Sequence, residues 1–512
     1  MEEFSVINYL PWILMDVRTF ILGMLVMLVL LWLTYKPSRK LPPGPWGFPI
    51  IGSIPAIILA VRRGVQPHQM FDEYAKKYGP VFRVRMFTKT VVVLNDFPSI
   101  KAGFQNPRLN DRPHMLLTEA LKSDGVVMAS GEPWVQLRRF CLTVLRSLGV
   151  GKSNFEEQIA VEGEVLLKEM GSFEGKPFNP QYLLSNAIFN VICAVVFGQR
   201  YDYADREFCE LIDALQNNVS QIGVGGALNF FPGLRHLPYS GMDRVLSNFD
   251  KVVQFITKRI DAHRATLDAR NLRDFTDAYL LEIQQNSGRN ETDERRSPTT
   301  RCQLSEGNLV GTIGNLLIAG SVTTLATLQW GLLYMMVYPE IQERVQAEID
   351  AVVGRNRLPR LADKPNLNYT QAAIWEIQRL ASVAPLGIAH AAGSDTQLNG
   401  LDIPKGALLV ANLWAVLRDP EIWPEPDQFK PERFLDGEGK AVKSEHLIPF
   451  SIGRRSCIGE LLAKMELFVF FSYFMHQFEV RKPDNSPTLS LKGVGGLTYE
   501  PMPFEICGIK RD

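Results

Sequence analysis

Cys457 stands in a turn rich in glycine and arginine, Phe450-Ser451-Ile452-Gly453-Arg454-Arg455-Ser456-Cys457-Ile458-Gly459. Directly behind it, residues 460–468 (ELLAKMELF) carry a pattern that predicts a helix. A thiol just ahead of a helix faces unpaired N–H groups and the positive end of the helix dipole, a setting that lowers its pKa and favours the thiolate. A thiolate in such a turn is a candidate metal ligand. As the axial ligand of a haem iron it pushes electron density toward a bound O–O bond. Gly453 and Gly459 let backbone approach a flat group closely, and Arg455 offers a guanidinium to a carboxylate. A lone Cys is also a small buried hydrophobe in many proteins, and only the flanking residues argue for more.

Other residues of matching chemistry lie far away in the chain. Trp134 and Arg138, four apart in a predicted helix that Pro133 helps to open, share a face and can hold one carboxylate together. Glu376 and Arg379 are i,i+3 neighbours, which on a helix are in reach of each other. The run 319–324 (AGSVTT) puts glycine and two hydroxyls, Thr323 and Thr324, in the middle of a long predicted helix between a Ser305 cap and Pro339. Small residues mid-helix cost stability, and they suit a helix that widens at a functional bulge.

The turn around Cys457 resembles the haem-binding signature of the cytochrome P450 family, Phe-x-x-Gly-x-Arg-x-Cys-x-Gly. Phe450, Gly453, Arg455, Cys457 and Gly459 match each fixed position. The resemblance extends in family order from about Leu41 to Phe504 and is strongest to animal microsomal members. It implies a haem b whose iron Cys457 ligates. Its propionates would be held by Trp134, Arg138, His390 and Arg455. Lys122 stands where many relatives carry Arg, and is a weaker point-charge substitute. It also implies that Glu376, Arg379 and Arg433 form a buried charge triad beneath the haem, and that Thr323, with Thr324 beside it, helps deliver protons to bound oxygen. The chain departs from the family at Val322, where an acid is usual and Val cannot relay a proton.

These residues must be positioned by a fold that the pattern reads as mainly α, about a dozen helices with a small β region. Residues 82–86 and 90–94 read as paired strands, 408–410 and 493–498 as short strands, and 384–390 as an extended entry to His390. The region from about Phe155 to Ile283 has helical periodicity broken near Pro232 and Pro238, with 218–237 the expected roof of a substrate pocket. Residues 285–301 are polar and punctuated by proline, and read as an exposed loop. Phe20 to Leu33 is an unbroken apolar run, at the short end for a transmembrane helix. Basic residues follow it at 36, 39 and 40, so the bulk of the chain is expected on the cytosolic side of the endoplasmic reticulum membrane. The division expected is a luminal end and anchor at 1–40, then one haem-binding domain at 41–512, joined by the stiff Leu41-Pro42-Pro43-Gly44-Pro45 segment.

Composition excludes several alternatives. Lys+Arg 55 balance Asp+Glu 55, so no net charge draws the chain to nucleic acid. The six cysteines are scattered with no C-x-x-C pair, which suits a reducing compartment rather than a disulfide framework. No Gly-rich dinucleotide motif is present, so electrons must come from outside. The resemblance implies a monooxygenase that inserts one atom of O2 into a lipophilic substrate such as a steroid, fatty acid or xenobiotic. NADPH would supply electrons through NADPH–cytochrome P450 reductase, with cytochrome b5 a second candidate donor. Arg139, Arg146, Lys430 and Lys464 are candidates for the docking face. Val322 keeps open an oxygen-independent isomerase or dehydratase. A membrane haem carrier or sensor is the non-enzymatic alternative, against which Thr323 and the apolar residues Val126, Val127, Leu316 and Leu317 argue.

Overall fold

The computed structural model describes residues 19–24, 27, 40–48, 51–87, 89–114, 123–221, 242–290, 304–484, 486–496 and 498–512. Helices dominate. In chain order they are α1 (Ile54–Arg62), α2 (Pro67–Tyr78), α3 (Phe97–Gln105), α4 (Gly125–Met128), α5 (Gly131–Ser147), α6 (Ser153–Gly171), α7 (Gln181–Phe197) and α8 (Arg206–Gln221). They continue with α9 (Met242–Thr266), α10 (Phe275–Asn290), α11 (Glu306–Val337), α12 (Pro339–Val353), α13 (Asn368–Ala381), α14 (Leu413–Val416) and α15 (Glu460–Gln477). The mainly α expectation with a small β region holds.

The long α11 is the axis of the helical core. The Ser305 side chain accepts from the Asn308 N–H and caps its start, and the helix stops at Tyr338 ahead of Pro339, as the cap and the proline require. It is apolar enough to cross a membrane, but most of it is buried inside the protein, so its hydrophobicity serves the core. It packs on α7 and α15, and all three contribute to one large apolar cluster.

The β region is small and sits to one side. β1 (Val81–Met86) pairs antiparallel with β2 (Lys89–Leu94), Val81 opposite Leu94. β3 (His390–Ala391) pairs antiparallel with β6 (Leu408–Ala411), which runs parallel to β2. The sheet order is therefore β1-β2-β6-β3. Three two-stranded ribbons complete it: β4 (Thr396–Leu398) with β5 (Leu401–Ile403), β7 (Phe478–Arg481) with β10 (Cys507–Lys510), and β8 (Gly493–Gly495) with β9 (Tyr499–Pro501). The proline-rich segment lies against the sheet: the Arg83 N–H donates to the Pro43 carbonyl at 2.7 Å and the Asp402 N–H to the Lys40 carbonyl at 2.8 Å.

Several sequence expectations change. The approach to His390 is a series of turns with only two strand residues, because Gly387 adopts a left-handed turn there. Of residues 493–498, Gly493–Gly495 form one arm of a hairpin, paired with Tyr499–Pro501, rather than part of a longer single strand. Residues 285–290 continue α10 instead of opening a loop. Of the apolar run near the N-terminus, residues 19–24 and 27 are helical and exposed, and the rest lies outside the described residues. So do Lys122, the centre of the expected pocket roof and most of the polar 285–301 stretch.

Candidate active site

The Cys457 turn is closed by its own backbone. The Cys457 N–H donates to the Phe450 carbonyl at 3.0 Å, and Ser456 N–H to Gly453 carbonyl at 3.2 Å. Ser451 and Gly453 both take positive φ, 58° and 81°. A side chain at Gly453 would meet the Phe104 carbonyl oxygen at 2.5 Å. Gly453 is therefore needed for close approach to α3. Gly459 suits the approach of a flat group: a side chain there would meet nothing nearer than the Cys457 sulfur, at 4.0 Å. The Cys457 side chain is accessible in the turn, with protein packed around it.

That packing reverses one sequence expectation. α15 does begin directly after Gly459, but burial pushes the Cys457 thiol up, and the Gly459 N–H and Arg138 draw it down by less. Dehydration of the charged form outweighs the helix start. A thiolate here would be stabilised by a bound metal ion, which deprotonates a coordinating thiol outright.

Three guanidiniums gather beside the turn. Arg138, on α5, donates to the Ser456 carbonyl at 2.7 Å. Arg455 donates to the carbonyls of Asn110 at 2.9 Å and Ala129 at 2.7 Å, and lies 3.7 Å from the centre of the Trp134 ring. Arg112, which sequence reasoning missed, donates to the carbonyls of Val127, Ile388 and Ala389. These bonds go to neutral carbonyls and none to a carboxylate. Burial pushes Arg112 down to about 9, with Arg455 and Arg138 adding their repulsion. Burial likewise pushes Arg455 to about 9, partly offset by Asp111. Like charges gathered with only Asp111 near one of them cost free energy unless a further anion joins them. His390 stacks on Phe104 at 4.0 Å, and its Nδ1 lies 3.0 Å from the Leu109 carbonyl. Burial, then Arg112, push it down to about 2, so it is neutral. Its Nδ1 then donates to that carbonyl, and its Nε2 presents a lone pair.

α11 supplies the hydroxyls. Thr323 Oγ1 donates to the Ala319 carbonyl at 2.8 Å, which leaves its lone pairs to accept from a neighbour. Thr324 is buried and donates to Glu466 on α15 at 3.3 Å, away from the path of Thr323. Val322 is buried in the apolar core. The expected widening of the helix is absent: residues 306–337 are continuous α-helix, and Gly320 serves packing, since a side chain there would meet Ile192 at 2.6 Å. α4 is pinned to α11 nearby. The Asn315 side-chain Oδ1 accepts from the Val127 N–H at 2.9 Å, and Gly125 and Gly311 touch, so that a side chain on Gly125 would meet the Gly311 carbonyl oxygen at 2.6 Å.

Beneath the turn, Glu376 and Arg379 on α13 are fully buried and form a bidentate pair at 2.7 and 2.8 Å. Arg433, in the short 3-10 turn Pro431–Phe434, donates to the same Glu376 oxygen at 3.0 Å, and the Lys430 N–H at 2.9 Å. The two distant sequence elements thus meet on one carboxylate. Phe450 lies under Lys464, 5.7 Å from its ring centre.

The arrangement combines an accessible thiol, a cluster of three buried or half-buried guanidiniums bonded to neutral carbonyls and a helix with a hydroxyl turn. Comparison with known proteins agrees with it. The family model for cytochrome P450 matches residues 42–508. The chain is 37% identical to cytochrome P450 2J5 of Mus musculus over 507 residues, 98% of this chain and 97% of that one. It is 36% identical to cytochrome P450 2J2 of Homo sapiens, covering 97% of both chains, and 37% identical to cytochrome P450 2U1 of Homo sapiens, covering 96% and 93%. The chain belongs to the cytochrome P450 family and is an oxidoreductase of the monooxygenase type.

Proposed function

We propose that the protein is a haem-thiolate monooxygenase of the endoplasmic reticulum membrane, acting on a lipophilic small molecule with electrons from NADPH–cytochrome P450 reductase. The observation that carries the reading is the pairing of Cys457 with the Arg112, Arg138 and Arg455 cluster. The family implies haem, and the residues present fit it. The thiol can ligate iron, and three clustered guanidiniums that, among the described residues, bond to neutral oxygens and to no carboxylate suit the two propionates of haem b. Bound haem supplies the redox centre at which dioxygen is reduced. The chain's own residues hold and orient it, exclude water through the apolar Val126, Leu317 and Val322, and present the Thr323 hydroxyl as a proton-accepting and proton-passing group.

Support for the partners is of uneven weight. Arg139 and Arg146 are exposed and have no acidic partner among the described residues, which suits an acidic reductase surface. Lys430 pairs with Glu425 and Lys464 with Glu460, so these two offer less net charge. A membrane-facing surface is supported by Trp46, Phe48, Ile58, Leu59 and Val61, all exposed near the start of the described domain. The test is the reduced carbon-monoxide complex of the purified protein. The expected result is the red-shifted Soret band of thiolate ligation, lost in Cys457→His. A band that persists in that variant overturns the ligand assignment.

A further inference from the structure

Four hydroxyls lie on one stretch of α11, at Ser321, Thr323, Thr324 and Thr327. Ser321 donates to Leu317, Thr323 to Ala319 and Thr327 to Thr323, each to the carbonyl four residues back. Thr324 alone turns out of its helix, to the Glu466 Oε2 on α15. Glu466 is almost wholly buried, at 1% exposure, and its Oε1 has no hydrogen-bond partner. Its neighbours on α15, Met465, Leu467, Phe468 and Phe470, are buried and apolar, as are Leu325, Ala326 and Leu328 on α11. Among the described residues no Lys, Arg or His acts on the carboxyl; only the Thr324 hydroxyl does.

An ionised carboxylate so placed would lack any compensation for its lost hydration. A neutral carboxyl suits the site, because it can both donate to and accept from a hydroxyl. The tie it makes is also well placed. Thr324 is the residue after Thr323, and α15 is the helix that follows the Cys457 turn. One hydrogen bond therefore links the element that presents the proton-passing hydroxyl to the element behind the thiolate.

We propose that Glu466 is a positioning residue: a neutral carboxyl that, through Thr324, fixes the setting of α11 relative to α15 and so holds Thr323 in place over the oxygen-binding side. The role in oxygen chemistry rests on the monooxygenase reading above; the neutral tie does not. With Val322 in place of an acid, no carboxylate on 319–324 does this from within α11, so the fixing group comes from the neighbouring helix.

Two measurements test the proposal separately. The first is the infrared difference spectrum of wild type minus Glu466→Gln at pH 6 and pH 8. The expected result is a protonated-carboxyl C=O band at both values, displaced in Thr324→Val. No such band at either pH overturns the neutral carboxyl. The second is hydrogen peroxide released per NADPH consumed, with reductase and dioxygen, in variants that keep the red-shifted carbon-monoxide band. Thr324→Val and Glu466→Leu are expected to raise this ratio twofold or more, while Glu466→Gln, which keeps the hydrogen bond, stays at the wild-type value. A wild-type ratio in Thr324→Val overturns positioning, whether or not Glu466→Leu folds. If wild type consumes no NADPH, the monooxygenase reading and the positioning role fall together, and the infrared band still decides the tie.

Discussion

At the scale of single residues, the site is defined by charges and hydroxyls whose partners are unusual. Arg112 is the clearest case, because among the described residues its guanidinium is bonded only to carbonyls, and it is pushed down by burial and by two other cations. Arg112→Gln keeps hydrogen bonding but removes a charge that an anionic cofactor would need. We expect haem to dissociate at least several-fold faster from this variant, read by transfer to an excess of apomyoglobin. Val322 is the second case. A carboxylate there would restore a group able to pass protons, so Val322→Glu should raise product formed per NADPH; an unchanged or lower ratio would count against a proton-supply shortfall. The residues were unequally legible in the sequence. Cys457, Arg455 and Phe450 stand in one continuous turn, and Trp134 with Arg138 on one helix face, so spacing alone brought them out. Arg112 gave no such signal, since Ile388, Ala389 and Arg455, which it faces, lie hundreds of residues away in the chain and only tertiary packing brings them together. The dehydration acting on the Cys457 thiol was not legible for a related reason: the helix start is local and visible, whereas the burial that opposes it comes from the whole surrounding fold.

At the scale of elements, close contact between helices sets the positions of the side chains. α11 was legible in outline because its cap, its apolar pattern and its terminating proline are all local features. Its glycines were not. Gly320 read as suited to a widened helix, but it and two further glycines, Gly311 and Gly331, face neighbouring groups: Ile192, Ser123 and Ile377 respectively stand within 3.2 Å of where a side chain would begin. Gly311→Val is thus an overpacking change against α4, with a cost of about 1–3 kcal/mol. It should lower the unfolding midpoint and displace Val126 and Val127, seen as a changed spread of ligand-induced spin-state shifts across a panel of lipophilic compounds. Pairing of β1 with β2 was readable from alternation, while β3 was overread, because a left-handed Gly387 interrupts the extended run just before it.

At the scale of the molecule, one buried carboxylate closes a long circuit of chain. Glu376 receives Arg379 from its own helix, Arg433 from a turn 57 residues on and the Lys430 backbone N–H. Glu376→Ala would leave two buried cations without their shared anion, at a cost of about 3–5 kcal/mol. The expected outcome is expression of protein with little bound haem, measured as the ratio of Soret to protein absorbance; full haem loading would show that the circuit closes without it. The mainly helical architecture and the order of the elements were legible because helix periodicity and proline breaks are dense along this chain. The way the parts meet around Glu376 was visible only by resemblance, since no local pattern links residues 376 and 433.

The proline-rich segment has a mechanical consequence. Its backbone is stitched to β1 through Pro43 and to the β4–β5 ribbon through Lys40, and a side chain on Gly44 would collide with the Arg83 carbonyl. A load entering the domain at Lys40 therefore meets the β4–β5 ribbon first and then, through Pro43, the β1 edge of the four-stranded sheet, opposite β3, the strand that carries His390. It is borne in shear by backbone hydrogen bonds before it can reach the thiol. The thiol turn is damped against motion of whatever the segment is tethered to, and the sheet acts as the domain's mounting bracket.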